Sequence, residues 1–318
     1  SMSFDPTFGI PEHFKQKYRD AFQATIQQEQ AKLANVSIVE SGWTAKQFIL
    51  REGQANEWRV DNTRFGKTNA VEFEGGFRSG FKQDLEAQPI KFDRKDAKKL
   101  DTIALPTGFV LTEMRKGLGR IQDDLFIAAA TANALGGSAP HVTPQTFPTS
   151  QIIPVNYTKP GQAVGSNSGL TVWKALEIRT RFKQLEIDAD QEDCVLAVTP
   201  EMITQLMLDA EAASNGAWAK IVLKWVEMYM TGSKETKLLG MFRVIESNRL
   251  AEDSGTGVQT ALAFCKRGFV SAPLMGMESH IDVLPTDKHA IQITAYGEWG
   301  CFRAYDEMVL QAPCDPSP

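Results

Sequence analysis

The fold of this 318-residue chain is decided by the stretch VLTEMRKGLGRIQDDLFIAAATANA, residues Val110–Ala134. It predicts one long helix that ends before Gly136, because glycine commonly follows the last turn of a helix. At about 1.5 Å per residue the helix would be about 37 Å long, about twice the average. Its apolar residues recur every three or four positions, which predicts an inward stripe of Leu111, Met114, Leu118, Ile121, Leu125 and Ala128.

Composition and charge are those of an ordinary globular chain. Hydrophobic residues make up 42% of it and charged residues 23%, as in most proteins with a packed core. No apolar run reaches the roughly 18 residues that a transmembrane helix needs, and the first residues lack the pattern of a signal peptide. The formal net charge of −5 argues against a dedicated nucleic-acid binder, which is normally basic, but it is compatible with a protein that encloses nucleic acid.

The four cysteines, Cys194, Cys265, Cys301 and Cys314, are scattered along the second half of the chain. They do not form the C-x2-C spacing of a metal site, and their pattern suits a reducing compartment. Cys194 begins the apolar run CVLAV. We therefore expect it to pack in the core as a small hydrophobic residue.

Two segments before the long helix are short of core residues. Pro11–Asn35 carries a thin helical stripe of Phe14, Tyr18, Phe22, Ile26 and Leu33, which predicts an amphipathic arm that needs a partner surface. Residues 42–101 mix short alternating pieces, such as Glu57–Val60 and Ala70–Glu74, with glycines and charges of both signs. This pattern predicts a β-ribbon that lies on another surface; a floppy surface insertion is the alternative.

The remainder alternates helices with strands. We predict a helix over Leu170–Leu185, a buried strand at Cys194–Val198, and a helix that begins at Pro200 with Thr199 as its cap. Further strands are predicted at Met241–Ile245 and Ala261–Cys265, which makes 140–277 an α/β unit.

The last part of the chain returns to strands. Predicted strands at Ile291–Tyr296 and Cys301–Tyr305 would form a hairpin, because Gly297 and Gly300 lie between them. A third strand is predicted at Met308–Leu310, followed by a proline-rich tail from Gln311. The predicted fold class is α+β.

Motifs for chemistry are weak. Phe65–Thr68 resembles the end of a phosphate-binding loop, but that motif needs a glycine where this chain has Asp61. The four histidines are far apart, and only His280 and His289 share a segment, with a proline between them. On the long helix, Arg120 with Asp123 and Asp124 could be a paired acid site, although their spacing is more typical of an ion pair on the helix or between subunits. We assign no catalytic, cofactor-binding or metal-binding residue and no cofactor.

The order of the predicted elements, and several short sequence segments, resemble those of the major capsid proteins of tailed bacteriophages with the Hong Kong 97 (HK97) fold. The matching segments are LGRIQDD at Leu118–Asp124, IAAAT at Ile127–Thr131, ESNRL at Glu246–Leu250 and AFCKRG at Ala263–Gly268. The resemblance implies an N-terminal arm (1–41), an extended loop with flanking strands (42–101), a spine helix (102–139), an axial domain (140–277), and closing strands of the peripheral domain with a tail (278–318). Within this scheme, Gly53 to about Ala87 would lie on a neighbouring subunit.

The resemblance implies a structural protein, not an enzyme, that assembles with itself in the bacterial cytoplasm. Its pentamers and hexamers would form the icosahedral head of a virion around double-stranded DNA. The shell would contact this DNA without sequence preference, and the protein would have no membrane partner. No long coiled segment precedes the arm, which implies either a separate scaffolding protein or none. Portal and decoration proteins are the other partners that the resemblance implies. In some HK97-like capsids the subunits are covalently cross-linked by lysine–asparagine isopeptide bonds. Lys67 and Lys82 lie in the loop, but nothing in the sequence marks their partners.

Two alternatives remain open at the level of sequence. A microbial encapsulin has the same fold and would hold protein cargo instead of DNA. A cytosolic enzyme with an unrecognised site is the other.

Overall fold

The computed structural model describes residues 28–42, 45–52, 75–93, 107–163, 165–187, 192–212, 216–232, 236–250 and 252–316. Residues 1–27 of the predicted arm lie outside these ranges. So do Glu57–Val60 and Ala70–Glu74, the alternating pieces of the predicted ribbon, and the Phe65–Thr68 motif.

The helices of the described chain are α1 (Thr107–Thr131), α2 (Val172–Gln184), α3 (Pro200–Ala212) and α4 (Ala217–Met230). Helix α1, the spine helix, has the predicted 25-residue length but begins three residues earlier than expected. Helix α3 begins as predicted, with the Thr199 hydroxyl accepting a hydrogen bond from the Met202 amide at 3.4 Å. In the described ranges, every helix is too short or too polar to cross a membrane.

The strands are β1 (Ile38–Val39), β2 (Gln47–Arg51), β3 (Phe77–Phe81), β4 (Gln83–Glu86), β5 (Ile90–Phe92), β6 (Ala134–Gly136), β7 (Thr143–Gln145), β8 (Cys194–Val198), β9 (Phe242–Glu246), β10 (Gln259–Cys265), β11 (Phe269–Leu284), β12 (Ala290–Arg303) and β13 (Val309–Cys314). They form three sheets. One has the order β1-β11-β12-β4 with β5 also on β12, one has the order β13-β10-β8-β9, and one has the order β2-β3-β6-β7. The antiparallel pair β2–β3 is the base of the predicted ribbon.

The sheet of β8, β9, β10 and β13 is buried on both faces. Along β10, Ala261, Ala263 and Cys265 face one apolar core with α2, α3 and α4. Leu262 and Phe264 alternate with them and face a second core, which contains Phe126 of the spine helix. Two covered faces explain why β8 is a continuous apolar run.

The predicted inward stripe of the spine helix is wrong for most of its members. Met114 is buried, but Ile121 is 39% exposed, Ala128 is exposed, and Leu111, Leu118 and Leu125 are half-buried. The buried face includes Phe126, Ile127 and Ala130 together with two residues that the pattern did not favour, Gly119 and Asp123. A substitution of Ile121 by a charged residue therefore should not bury that charge in the core.

The hairpin predicted around Gly297 and Gly300 is also wrong. Strand β12 runs without a turn from Ala290 to Arg303. A Cβ atom at Gly300 would lie 2.7 Å from the carbonyl oxygen of Phe81 and 3.0 Å from the Cα atom of Lys82. This glycine permits close approach of a neighbouring strand, which is the other common reason for glycine inside a strand. The predicted tail from Gln311 is strand as far as Cys314, because β13 pairs with β10.

Cys194 and Cys265 lie opposite each other on β8 and β10 and are joined by a disulfide. The prediction of simple core packing for Cys194 missed this bond, since 71 residues separate the two cysteines and only strand pairing brings them together. Cys301 and Cys314 are free thiols. Burial raises the pKa of the Cys314 thiol to about 11.

Candidate assembly site on the spine helix

Asp123 fixes the end of the N-terminal arm to the spine helix. Its carboxylate is fully buried and accepts hydrogen bonds from the backbone amides of Lys32 (2.9 Å), Leu33 (2.9 Å) and Ala34 (3.0 Å). The Gln28 side-chain amide donates to the same carboxylate at 2.5 Å. A buried carboxylate requires such partners, and amides without a carbonyl acceptor require them equally. We call Gly119, Asp123 and the arm residues 28–36 the arm-docking site.

Gly119 lies one helical turn before Asp123 and lets the arm backbone approach closely. A Cβ atom there would lie 2.8 Å from the backbone nitrogen of Ala31. Further along the same face, Leu33 and Val36 pack in one core with Phe126. The face therefore combines close backbone contact, a buried acceptor and apolar packing, all within three turns of one helix.

Within the subunit, Arg120, Asp123 and Asp124 form neither a paired acid site nor an ion pair with one another; an ion pair between subunits stays a prediction. Asp123 holds the arm, and Asp124 pairs with Arg249 after β9. Hydrogen bonding to Asp124 raises the pKa of the Arg249 guanidinium. The role of Asp123 was not predicted from the sequence. One signal was present: Asp123 precedes Phe126 by three positions and Ile127 by four, a spacing that places all three residues on the same face of a helix.

A second cluster lies at the base of the extended loop. Arg78 on β3 donates to Glu52 at 2.6 Å and to Asp306 at 2.8 Å. Asp306 also accepts a hydrogen bond from Arg303 at 2.5 Å. Burial lowers the pKa of Arg78, but its bonds to the two carboxylates outweigh burial, so that the pKa is raised. We call Glu52, Arg78, Arg303 and Asp306 the loop-base network.

Arg303 connects this network to the end of the spine helix. Its side chain is fully buried and donates to the carbonyl oxygens of Ala129 (3.2 Å), Ala130 (3.2 Å) and Ala132 (2.9 Å). The last carbonyls of a helix have no partner within the helix and carry partial negative charge, so a cation stabilises them. Burial lowers the pKa of Arg303, and the charge of Asp306 opposes that effect. The guanidinium also lies 4.5 Å from the centre of the Phe147 ring.

These contacts correct the expectation that the loop lies on a neighbouring subunit as far as Ala87. The Arg78 side chain is only 13% exposed, and Lys82 is buried. Both therefore belong to the fold of their own subunit. The charges at Arg59, Arg64 and Lys67 lie outside the described residues.

Chemistry beyond these two clusters is sparse in the described ranges. No group of three or more His, Cys, Asp or Glu side chains there could hold a metal ion. His280 and His289 lie on or beside the β11–β12 hairpin, and the His280 ring is 6.0 Å from the Tyr296 ring. The arm-docking site and the loop-base network therefore hold segments of the chain together.

Comparison with known proteins agrees with this architecture. A family model for phage capsid protein matches residues 10–315, nearly the whole chain. The chain belongs to the phage capsid protein family. It is the structural protein of a virion head shell and not an enzyme. No curated protein sequence matches it significantly.

Solved structures show that the phage capsid protein has the HK97-like fold. The capsid of Ralstonia phage GP4 matches with a TM-score of 0.66 and 11% identity, covering 99% of this chain and 100% of the other. The capsid of Helicobacter pylori bacteriophage KHP30 matches with a TM-score of 0.65 and 11% identity, over 100% and 99% of the chains. The SrpI encapsulin of Synechococcus elongatus PCC 7942 also matches, with a TM-score of 0.56 and 9% identity, over 98% of each chain. Membership in a capsid family implies that the protein binds copies of itself.

Proposed function

We propose that this capsid protein forms pentamers and hexamers that close into an icosahedral head around double-stranded DNA. In this proposal residues 140–277 form the axial domain around the five-fold and six-fold axes. The spine helix and the strands after residue 278 form the peripheral domain. Residues of the extended loop beyond its base lie on the neighbouring subunit.

The observation that carries the proposal is the anchoring of the loop at its base. The Glu52 amide donates to the Gly76 carbonyl at 2.8 Å, so the segment 53–74 leaves and re-enters the described fold at one point. That segment contains few large aliphatic residues and charges of both signs. A segment that cannot build a core, held rigidly at its base, is suited to contacting another surface.

Shell assembly also fits the charges of the subunit. A closed shell forms from repeated heterologous contacts, and interspersed charges can set the register of each contact. With a net charge of −5, the subunit should contact packaged DNA weakly and without sequence preference. Separate scaffolding, portal and decoration proteins complete the proposed set of partners.

Charge reversal tests the loop contact. If Arg59 and Arg64 act only between subunits, as proposed, the double variant Arg59→Glu, Arg64→Glu should keep the melting temperature of the unassembled subunit, because a charge without a partner inside the subunit contributes about 0 to 1 kcal/mol. The same change is repeated at every contact, so the yield of shells by electron microscopy and light scattering should fall. Arg78→Glu is the matched control, since it disturbs the subunit itself. An unchanged yield for the double variant, or a wild-type protein that stays monomeric at every concentration and with a scaffold, would refute the loop contact.

An encapsulin-like compartment is the second candidate, supported by the likeness in fold to SrpI. The two differ in contents. Shells purified from cells should contain double-stranded DNA, or be empty, if the protein builds a phage head. A defined protein cargo and no nucleic acid would favour the compartment.

A further inference from the structure

Cys194 and Cys265 form a covered pair at one end of the sheet of β8, β9, β10 and β13. Cys194 is the first residue of β8 and Cys265 is the last residue of β10. The antiparallel register places the two residues opposite each other, and three further residue pairs of the same strands hold that register. The pairing of the strands, and not the bond, therefore brings the two sulfur atoms together.

The surroundings of this pair suit two thiols as well as a disulfide. Cys194 and Cys265 are 1% and 0% exposed, and they pack in the apolar core that contains α2, α3 and α4. A cysteine thiol behaves in such a core as a small hydrophobic residue. The strand β10 is also paired with β13 on its other side, so the sheet is held together without the bond. The dithiol and the disulfide are therefore two states of one fold.

The other two cysteines are placed where they do not compete for this bond. Cys314 lies opposite Gln259, six positions from Cys265 along β10, which is a distance of about 20 Å in a strand. Cys301 packs against the second core, on the other face of the same sheet. All four cysteines of the chain lie in the described ranges. Oxidation of the folded subunit therefore has one intramolecular product, the Cys194–Cys265 bond.

The pair is buried but lies next to the surface along the chain. Asp193 and Lys266, the residues that follow the pair outward, are both exposed. One backbone hydrogen bond joins them, from the Lys266 amide to the Asp193 carbonyl at 3.0 Å. Strand ends open more readily than strand centres. A small uncharged oxidant can therefore reach the two thiols without unfolding of the sheet.

The bond encloses a long stretch of chain. Cys194 and Cys265 are 71 positions apart, and α3, α4 and β9 lie between them. Closing a loop of this length removes entropy from the unfolded chain, and it should lower the equilibrium constant of unfolding about a thousandfold. The bond therefore stabilises the folded subunit although it adds little to the packing.

We propose that Cys194 and Cys265 form a redox-dependent lock of the subunit. The chain folds with two thiols in a reducing compartment, and the bond forms afterwards in oxidising surroundings, where it stabilises the subunit without changing its fold. A peroxide is the class of oxidant that suits a buried pair. It oxidises one thiol to a sulfenic acid and releases one water; the second thiol then attacks that sulfur, and the disulfide forms with release of a second water. The order of these events rests on the proposed function, which places assembly in the bacterial cytoplasm, whereas the lock itself does not.

Controlled oxidation of the full-length protein tests the lock. The protein is purified in reductant, the reductant is removed, and half of the sample is treated with dilute hydrogen peroxide. After an acid quench and alkylation in denaturant, peptide mapping by mass spectrometry should find Cys194 and Cys265 alkylated before treatment and joined after it. The melting temperature should rise by about 8 °C, and the circular dichroism spectrum should stay the same. An acid-quenched lysate of the expressing bacteria should contain the dithiol form.

A matched pair of variants separates the bond from other effects of peroxide. Cys194→Ala should show no rise in melting temperature on treatment, whereas Cys301→Ala, which loses a free thiol, should show the full rise. Methionine oxidation is the same in both variants, so it cannot produce the difference. If Cys194→Ala does not fold, the reduced and oxidised states of the wild-type protein decide the question without it.

Four results would overturn the inference. They are a dithiol protein that does not fold, a folded dithiol protein that peroxide does not convert to the disulfide, equal melting temperatures of the two states, and a bond already formed in the acid-quenched lysate. The proposed function fails separately. Subunits that form the bond and gain stability, but never assemble into shells, would refute the proposed head and leave the lock standing.

Discussion

Replacement of Asp123 by alanine should release the arm from the spine helix. The buried backbone amides of Leu33 and Ala34 and the half-buried amide of Lys32 would lose their acceptor. Each unsatisfied buried amide costs about 1 to 3 kcal/mol, so the two buried amides of a docked arm would cost about 2 to 6 kcal/mol. Undocking limits the loss, because the amides can return to water once the burial of Leu33 and Val36 is given up, at about 1.5 to 3 kcal/mol each.

The expected cost of Asp123→Ala is therefore about 3 to 5 kcal/mol of unfolding free energy. For a chain of this size the melting temperature should fall by about 6 to 10 °C, at about 2 °C per kcal/mol. Scanning calorimetry measures this fall. Hydrogen exchange should also show rapid exchange at the amides of Lys32–Ala34 while the amides of β8 and β10 stay protected.

Asp124→Ala is the control, because it changes the adjacent carboxylate. The Asp124–Arg249 pair is partly exposed, with side chains 33% and 41% accessible, so its loss should cost less than about 1 kcal/mol. If Asp123→Ala melts no lower than Asp124→Ala, or leaves the arm amides protected, then Asp123 does not hold the arm and the arm-docking site is wrong.

Three other predictions follow from single contacts. Gly119→Ala should lower the free energy of unfolding by about 1 to 3 kcal/mol, since a methyl group there meets the arm backbone. Gly117→Ala is the control and should be neutral or stabilising, because a Cβ atom there has only a flexible side chain near it, at 3.8 Å. Equal melting temperatures of the two variants would contradict the close approach at Gly119. Arg78→Glu should lower the melting temperature of the unassembled subunit by several degrees, because it places a carboxylate beside two others. Lys46→Glu, at a side chain that is 71% exposed, should change the melting temperature little. Equal effects of the two variants would show that Arg78 does not stabilise its own subunit. Burial and a carboxylate partner raise the pKa of Tyr157 from 10.0 to about 12, so the stability it contributes is present below about pH 10 and is lost as the pH rises to about 12. The difference between ultraviolet titrations of the protein and of Tyr157→Phe should show that hydroxyl ionising near pH 12, and ionisation near pH 10 would refute the shift.

The secondary structure was largely predictable because local patterns encode it. The 25-residue length of the spine helix, the strand Cys194–Val198 and the capped start of α3 were all confirmed within a few residues. Each depends on spacing, apolar character or a capping residue within a short window. The resemblance to HK97-like capsids was confirmed for the same reason, since it rested on the order of these elements.

The arm-docking site and the loop-base network were not predictable, because each joins residues far apart in sequence. Asp123 and Leu33 are 90 positions apart, and Arg78 and Asp306 are 228 positions apart. A charged residue in a sequence is by default a surface residue, and only its tertiary partners make burial favourable. Nothing local could show that Asp123 would find three free amides or that Arg78 would find two carboxylates.

The sequence by itself determined the elements, their order and the family. Only the tertiary structure decided which face of the spine helix is buried. The apolar stripe predicted that Ile121 lies on the buried face, but Gly119 and Asp123 lie there instead. The reason is that the arm backbone packs closely against Gly119 and its amides need the Asp123 carboxylate as an acceptor. The same is true of Gly300, which a local pattern assigns to a turn and the fold places under a neighbouring strand. In both cases the deciding energy comes from a distant segment that the local sequence does not contain.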